Sequence, residues 1–539
     1  MSQLTQNMTL EEQVGQLLVV GFPGTTVTPE ITELIQKHHV GGIILFARNV
    51  ASARQVQELT NQLQELARQA GHRYPLFIAI DQENGMVRRL GDHCTTFPGN
   101  MALGAIGSEE IAYEVALATG RELRALGINL NFAPVADVNN NPANPVIGIR
   151  SFGEDPQTVG KLTAAMVRGY HAAHVLTCLK HFPGHGDTAV DSHLSLPVIP
   201  HDLQRLEEIE LVPFAAGFAA GTDSIMTAHI SMPAFMVAGE QSATVSPTII
   251  QGLLREKMGF TGLSITDCLE MKAISETIGV ERGSVLALLA GNDLVLISHR
   301  ADRQMKSIAA ILKAVRENEL ASEMIEQATE HVLACKARTL AWSDLPDEDD
   351  LRLVNSPEHH QLRDRAYALS TTIVKNEDQL IPLRLISSDR LLVLFPQPEN
   401  YTQAADKYRP AELLLNTIKQ HHSNVEGRII KPHPTSEQYQ DIAQASHTFA
   451  IILVVTLNAN LDSYQGELVH YIRQTGKPVI GLAVYNPYDV LAYPDISTYL
   501  TTYEYTQPAL EAATRVLFGD ASARGRLPVS IPGLYPLVP

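Results

Sequence analysis

The chain has 539 residues, too many for one ordinary domain, so we expect two domains, one of them large. Hydrophobic residues make up 45% of the chain and charged residues 19%, which indicates a globular protein with full cores. The net charge of −18 argues against nucleic acid as a partner, because phosphate binding needs a basic surface.

The cysteines and the amino terminus bear on location. The chain contains four cysteines, Cys94, Cys178, Cys268 and Cys335, without a CxxC pair or the spacing of a disulfide framework. This pattern is typical of a reducing compartment. The opening MSQLTQNMTLEEQVGQ lacks the basic and apolar regions of a secretory signal, and no stretch is long enough to span a membrane. We therefore expect a cytoplasmic protein without a membrane partner.

The first 340 residues alternate between predicted strands and helices. A capping box of Thr9 and Glu12 predicts the start of the first helix. Eight apolar runs then predict strands: LLVVGF, GGIILFA, LFIAID, INLNFAPVADV, LTCLKH, SIMTAHI, GLSITD and NDLVLIS. Helix-like segments such as SARQVQELTNQLQELARQ and LQRLEEIELVPFAAGFAA lie between most of them. This alternation favours a (β/α)8 barrel of the TIM type, with a doubly wound open sheet as the alternative.

The rest of the chain predicts a second, smaller α/β domain. An acidic, proline-containing stretch, WSDLPDEDDLRLVNSPEHH, is interpreted as a linker. After a further helix come the apolar runs RLLVLF, FAIILVVTL, KPVIGLAVY and ISTYLTTYEY. We therefore predict a TIM-barrel catalytic domain over 1–341, a linker over 342–369 and a carboxyl-terminal α/β domain over 370–539.

Polar residues stand at the carboxyl ends of the predicted barrel strands. These residues are Asp81, Asp137, Lys180, His181, His229 and Asp267. In a barrel such strand ends face one mouth, so residues far apart in sequence are expected to share one pocket.

Asp267, in SITDCLEM, is the first candidate for chemistry. An aspartate that ends a buried strand can serve as a nucleophile, an electrostatic anchor or a metal ligand. The alternative is structural, because Asp267 followed by Glu270 also fits a helix N-cap.

The segment KHFPGHGDTAVDSH concentrates ionisable groups in one loop. Asp191 can hold the ring of His193 in one tautomer and leave its other nitrogen to exchange a proton with a substrate. A metal site is the second hypothesis, with the possible ligands His181, His185, Asp187, Asp191 and His193. Their spacing matches no standard zinc pattern, and Lys180 would repel a cation. A solvated glycine and proline turn is the third hypothesis.

Two further segments carry possible sugar-binding groups. In IDQENGMVRRL, the carboxylate of Asp81 can accept hydrogen bonds from adjacent sugar hydroxyls, and Arg88 or Arg89 can fix that carboxylate or bind the ligand. The alternative is a charged strand-to-helix turn. Arg150 lies in the long loop NPANPVIGIRSFGEDP, and such loops often carry function.

For Arg150 the structural alternative is a salt bridge with the acidic residues that follow it in the loop. Those residues are Glu154 and Asp155.

Taken in order, these segments resemble the family 3 glycoside hydrolases, and within them the β-N-acetylglucosaminidase branch. The resemblance is carried by AIDQENG, NFAPVADV, RSFGEDP, KHFPGHGDTAVDSH, MTAHI and ITDCLEM, which cover essentially the whole first domain. The second domain, which ends in GRLPVSIP, resembles the three-layer α/β sandwich of longer members.

The resemblance implies a role for each candidate. Asp267 would be the nucleophile that forms a covalent glycosyl-enzyme intermediate, and His193 the general acid and base, oriented by Asp191. This branch uses a histidine in place of the second carboxylate of common retaining enzymes. The residues that would hold the sugar in the first subsite are Asp81, Arg89, Arg150, Lys180 and His181. No metal or organic cofactor is implied.

Two sequence differences stand out: the first disfavours the β-glucosidase branch, and the second is a departure from the usual family pattern. β-Glucosidase members have a tryptophan directly after the nucleophile, whereas this chain has Cys268, and its single tryptophan is Trp342. Where the family usually shows two glycines and an arginine, this chain reads Asn84-Gly85-Met86.

We therefore predict a retaining exo-β-N-acetylglucosaminidase whose substrate is a small carbohydrate from cell wall or chitin. The alternatives are a phosphorylase that uses the same site, a metal-dependent hydrolase and a non-catalytic sugar-binding protein.

Overall fold

The first helix begins where the capping box predicts it. In the computed structural model, which describes residues 4–188, 196–234, 236–237, 239–397 and 410–537, helix α1 spans Leu10–Gln16. The Thr9 hydroxyl accepts the N–H of Glu12, and the Glu12 carboxylate accepts the N–H of Thr9 at 2.7 Å. Two donors at the helix start are thereby satisfied.

The barrel predicted for the first domain is confirmed. Within the described part of that domain, parallel strands form one sheet: β1 Leu18–Val20, β2 Gly42–Leu45, β3 Phe77–Ile80, β4 Leu130–Asn131, β5 Leu176–Phe182, β6 Ser224–Thr227, β7 Leu263–Thr266 and β8 Val295–Ile297. From β1 to β7 each strand pairs with the next, and β8 pairs with β1. A parallel bridge between Ile265 and Leu294 joins the remaining edges. The doubly wound alternative is therefore wrong for this domain, since an open sheet does not return to its first strand.

The helices of this domain surround the sheet. They are α2 Pro29–Gln36, α3 Ala53–Gln69, α4 Asn100–Ile106, α5 Glu109–Ala125, α6 Pro156–Ala172, α7 Leu203–Glu208, α8 Leu211–Ala219, a π-helix Thr248–Lys257, α9 Lys272–Ser275, α10 Val280–Leu289, α11 Ala301–Arg316 and α12 Ser322–Thr339. In α3 the buried residues Val56, Leu59, Leu63 and Ala67 follow the three- and four-residue spacing of one helix face. The core therefore lies between the strands and these helix faces.

The second α/β domain is also confirmed. In the described part of residues 370–537 its sheet contains β9 Thr372–Asn376, β10 Leu391–Pro396, β11 Val425–Ile430, β12 Ile451–Thr456, β13 Val479–Ala483 and β14 Thr498–Thr501. The strand order is β9-β14-β13-β12-β10-β11, and the pairs are parallel except β9 with β14. Helices associated with this domain are α13 Pro357–Ser370, α14 Pro410–His421, α15 Ser436–Ser446, α16 Ser463–Arg473 and α17 Gln507–Phe518.

The sequence did not predict β9 and β11, and both are edge strands. Most residues of β9 are half-buried, and β11 carries exposed positions together with a glycine. Edge strands need little apolar sequence because one side meets solvent, so their pattern is weak.

The stretch predicted as a linker contacts the first domain. Gln57 of α3 donates to the carbonyl of Asp347 at 2.7 Å, and the His359 ring lies 2.7 Å from the buried carboxylate of Glu122. The domain boundaries at residues 341 and 370 stay a prediction. Among the described helices, none combines the length and apolar composition needed to cross a bilayer.

Candidate active site

A cavity of about 430 Å³ opens at the carboxyl ends of the barrel strands. Its described wall includes the predicted residues Asp81, Arg89, Arg150, Lys180, His181 and Asp267. The barrel topology thus brings together residues up to 186 positions apart, as the strand-end rule requires. Asp191 and His193 lie outside the described residues.

Lys180 binds two carboxylates on one side of the cavity. Its ammonium lies 2.6 Å from Asp81 Oδ1 and 2.6 Å from Glu83 Oε1, and the lysine side chain is 2% exposed. Burial works against the ammonium, but the charges of Asp81 and Glu83 outweigh it and raise the pKa of Lys180. The lysine is therefore held as a cation directly beside the carboxylate expected to bind sugar.

Glu83 is the centre of this network, and the sequence did not single it out. It accepts two hydrogen bonds from Arg150, from Nε at 2.9 Å and from Nη2 at 2.8 Å, in addition to its contact with Lys180. Burial raises its pKa, but Arg150 and Lys180 together outweigh burial and hold the pKa well below its usual range. A signal was available, because Asp81 and Glu83 alternate in an extended segment and so share one side of it.

Arg150 does not use the partners proposed for it as a structural residue. Glu154 accepts a hydrogen bond from Ser530 at 2.9 Å, and Asp155 caps α6 by accepting the N–H of Thr158. Burial alone would lower the pKa of Arg150, but the carboxylate of Glu83 raises it above its ordinary value. The salt-bridge alternative for the loop is therefore wrong.

His181 is oriented by a buried aspartate. Its Nδ1 lies 2.8 Å from Asp137 Oδ2, and its Nε2 lies 3.3 Å from Nη2 of Arg150. Because an arginine can only donate, Nε2 accepts and Nδ1–H donates to Asp137, which is the neutral tautomer. Asp137 also accepts the N–H of His185 at 2.7 Å, and these partners outweigh burial and lower its pKa. Asp137 thus holds the His181 ring and the His185 backbone, a role that its position at a strand end did not by itself predict.

Asp267 is not a helix cap. It follows β7, and its Oδ1 accepts the adjacent N–H of Cys268 at 2.7 Å, while the next helix begins at Lys272 with Met271 as its N-cap. Glu270 instead accepts the N–H of His299 at 2.6 Å. The capping alternative is wrong, and Asp267 is half-buried in the cavity wall.

Arg88 and Arg89 have different surroundings. Arg89 lines the cavity. Arg88 turns away and donates to Thr96 at 2.5 Å and Asp92 at 3.0 Å.

The described residues of the metal hypothesis contact other groups. His181 pairs with Asp137, and Asp187 lies 2.6 Å from Nε2 of His201. His185 contacts the hydroxyl of Thr188 at 2.9 Å, and burial lowers its pKa to about 4.

Arg48 and His299, which the sequence did not single out, also line the cavity. Within the described residues, Cys268, Glu270 and His299 are the group of three possible metal ligands that lies close enough to share an ion. Arg48 lies against it, with Nη1 3.2 Å from His299 Nδ1, and a guanidinium there opposes a cation. Arg48 follows β2 and His299 follows β8, so the strand-end rule could have found both.

The unusual residues Asn84 and Met86 lie in a small hairpin of Gln82–Asn84 and Val87–Arg88, which we call the 82–88 hairpin. Asn84 donates to the hydroxyl of Thr119 at 3.1 Å. Met86 is buried in the hydrophobic cluster of the second domain. Neither residue belongs to the described wall of the cavity.

Fold and site together define a two-domain α/β-barrel enzyme with an acidic residue at the barrel mouth. Two family models match the chain: the glycosyl hydrolase family 3 N terminal domain over residues 9–335 and the family 3 C-terminal domain over residues 371–534. The chain belongs to glycosyl hydrolase family 3.

Several relatives are similar over much of the chain. A protein of Pseudoalteromonas piscicida named Beta-hexosaminidase A is 34% identical over 562 residues, which cover 94% of this chain and 92% of the relative. A Beta-hexosaminidase of Xylella fastidiosa (strain M12) is 40% identical over 52% of this chain and 83% of the relative.

Two solved structures share the fold over 98% of this chain. A family 3 β-N-acetylglucosaminidase from Paenibacillus sp. str. FPU-7 has a TM-score of 0.89 and 39% identity, and all of it is covered. A fungal multi-domain family 3 β-N-acetylglucosaminidase has a TM-score of 0.92 and 42% identity, and 62% of it is covered.

Proposed function

We propose that the protein is a retaining exo-β-N-acetylglucosaminidase that removes terminal β-linked N-acetylglucosamine. The observation that carries this proposal is the half-buried Asp267 at the mouth of the barrel, in one cavity with the network of Asp81, Lys180, Glu83 and Arg150. The family match and the names of the similar proteins support the same activity.

The proposed reaction has two steps. In the first, a carboxylate oxygen of Asp267 bonds to the anomeric carbon, the bond to the leaving oxygen breaks, and His193 gives that oxygen a proton. In the second, His193 takes a proton from water, whose oxygen bonds to the anomeric carbon as the bond to Asp267 breaks. Asp191 holds the ring of His193. The roles of Asp191 and His193 rest on the family resemblance.

We assign sugar binding to the charged network. Asp81 offers carboxylate oxygens to adjacent hydroxyls, while Arg89, Arg150, Lys180 and His181 supply donors or fix one another. Since most of these groups are buried and paired, they need little reorganisation when a sugar enters. No metal or cofactor takes part in the proposal.

The central test compares aryl β-N-acetylglucosaminide with aryl β-glucoside as substrates. We expect the N-acetylglucosaminide to be hydrolysed with the higher kcat/KM, and NMR of the early product to show the β anomer first. Preference for the glucoside would contradict the assigned substrate. Early appearance of the α anomer would contradict the two-step retaining route.

The charge of the cavity supports a second candidate, phosphorolysis at the same site. Its described wall contains Arg48, Arg89, Arg150 and Lys180 against three carboxylates, on a chain with a net charge of −18. Such a wall attracts phosphate, and a histidine acid repels it less than a carboxylate would. Release of N-acetylglucosamine 1-phosphate in phosphate buffer would show this activity, and release of free sugar alone would exclude it.

A cytoplasmic location and a substrate from cell wall or chitin complete the proposal. All four cysteines are buried and unpaired, as suits a reducing compartment. Cell fractionation against periplasmic and cytoplasmic marker enzymes tests the location. Comparing muropeptide-derived and chitin-derived disaccharides tests the source of the leaving group.

A further inference from the structure

Glu504, which belongs to the second domain, lies directly behind the sugar-binding network of the first. It follows β14 and is 1% exposed. It is absent from the described wall of the cavity, which is built from residues 44–299. Glu504 therefore does not line the cavity where a sugar would bind, but it contacts residues that adjoin the wall of that cavity.

The carboxylate of Glu504 joins the two domains. Oε2 accepts the N–H of Gly99 in the first domain at 2.8 Å. Oε1 accepts hydrogen bonds from the Tyr367 hydroxyl and, at 2.8 Å, from the Thr506 hydroxyl. Each oxygen thus has at least one donor, and the carboxylate is fixed in position by both sides.

The tip of the 82–88 hairpin packs directly against this carboxylate. A Cβ added to Gly85 would stand 2.8 Å from Glu504 Oε2 and 2.8 Å from the Cα of Gly99. Gly85 also has a φ of +57° and donates its N–H to the carbonyl of Phe97 at 3.0 Å. The hairpin tip can therefore approach only because this residue is glycine.

The same hairpin carries the centre of the charged network. Glu83 stands two residues from Gly85 and holds both Arg150 and Lys180. Met86, at the tip, is buried in the hydrophobic cluster of the second domain. A displacement of the tip would therefore move Glu83, because no flexible segment separates the two.

We propose that Glu504 is a positioning residue through which the second domain fixes the 82–88 hairpin, and with it the carboxylate of Glu83. Because Glu83 is fixed, Arg150 and Lys180, which bind its carboxylate, are held in position as well. This inference rests on the proposed glycosidase function. It gives the second domain a task in binding and turnover, although that domain adds no residue to the described cavity wall.

The test uses the full chain and compares Glu504→Asp with Glu504→Gln. Aspartate is one methylene shorter and withdraws from the N–H of Gly99, so kcat/KM for an aryl N-acetylglucosaminide should fall about 10- to 100-fold, mainly through KM. Glutamine can keep its carbonyl oxygen on that N–H and turn its amide toward the hydroxyls. It should stay within about threefold of wild type.

Tyr503→Phe is the matched control for stability. The Tyr503 hydroxyl is buried beside Glu504, but it donates to Thr372 at 2.7 Å within the second domain. We expect this variant to lower Tm without changing kcat/KM. If Glu504→Asp lowers Tm by about as much as Tyr503→Phe and also leaves kcat/KM unchanged, Glu504 has only a structural role and the inference is overturned.

A double-mutant cycle with Glu83→Gln tests the route. If Glu504 acts through Glu83, the double variant should lose about as much kcat/KM as Glu83→Gln does singly, whereas multiplied losses would overturn the route. Wild-type turnover in the same assay separates failure of the proposed function from failure of this inference. If the wild type does not hydrolyse the substrate, the proposed function fails. If the wild type is active and Glu504→Asp is equally active, only this inference is contradicted.

Discussion

Arg150 grips Glu83 through two parallel hydrogen bonds, Nε to Oε2 at 2.9 Å and Nη2 to Oε1 at 2.8 Å, and both side chains are buried. Lys180 adds its ammonium to the same carboxylate at 2.6 Å. Two cations on one buried carboxylate leave a net positive charge, which Asp81 balances from the other side of Lys180. Asp81, which is expected to bind the sugar, is thus linked through Lys180 to Glu83 and Arg150.

Replacing Glu83 with glutamine should weaken both folding and substrate binding. The change leaves Arg150 and Lys180 buried without their shared carboxylate, which should cost about 3 kcal/mol of the free energy of unfolding. KM should rise more than kcat falls, because Arg150 and Lys180 stay charged but are no longer held in place to bind the sugar. Chemical denaturation and steady-state kinetics measure the two effects, and the exposed Glu317→Gln serves as the control variant.

The stability effect of Glu83 should depend on pH. Its folded pKa lies well below the unfolded value of about 4.3, so its contribution is complete above that pH and is lost as pH falls toward the folded pKa. The difference in unfolding free energy between wild type and Glu83→Gln should therefore be constant above about pH 5.5 and shrink below about pH 4. A difference that grows on acidification would contradict the assigned charge state.

Removing the carboxylate of Asp267 should abolish turnover. Asp267→Ala should lose at least about 10⁴-fold in kcat, and azide should restore part of it by entering the vacated space as a nucleophile. The product would then be a glycosyl azide, identified by mass spectrometry. Glu270→Gln, which removes a nearby carboxylate bonded to the His299 backbone, is the control and should keep most activity. Full activity in Asp267→Ala would refute the assignment.

The leaving group should reveal the role of His193. His193→Ala should lose about 10²- to 10⁴-fold with a disaccharide, whose leaving oxygen needs a proton, and much less with an activated aryl glycoside. Measuring kcat/KM across aryl leaving groups of falling acidity gives the dependence. Equal losses for all of them would argue against proton transfer by this residue.

The sequence predicted the barrel and most of its mouth because both follow from local patterns. Each barrel strand is a short apolar run, and each of Asp81, Lys180 and Asp267 comes at or near the end of one. The partner of Arg150 could not be predicted in this way. Glu154 and Asp155 are near it in sequence, whereas Glu83 is 67 residues away and meets it only after the barrel closes.

The role of the second domain was equally hidden from the sequence. Glu504 is an ordinary acidic residue in TTYEYTQ, and its position against Gly85 depends on the packing of two separately formed sheets. The Met86 departure was visible, but its cause, burial in the core of the other domain, was not.

A buried lysine at the opposite end of the barrel should make stability rise with pH. Lys336 donates to Gln16 Oε1 at 3.0 Å and to the carbonyl of Gly41 at 2.7 Å, and burial lowers its pKa to about 7. The unfolded chain, with a lysine pKa of about 10.4, therefore binds more protons than the folded one between these values. Unfolding free energy should increase by a few kcal/mol between pH 7 and pH 10, since each pKa unit is worth about 1.36 kcal/mol.

Lys336→Met separates this effect from other titrations. Methionine fills a similar volume without a charge, so the variant should lack the part of the pH dependence that Lys336 supplies. Relative to wild type it should be most favoured near pH 7, where the lysine begins to be charged in the folded core, and least favoured near pH 10. The exposed Lys313→Met is the matched control and should follow wild type at every pH. Parallel stability curves for wild type and Lys336→Met would show that Lys336 keeps an ordinary pKa, which would require an anion near Nζ to offset burial.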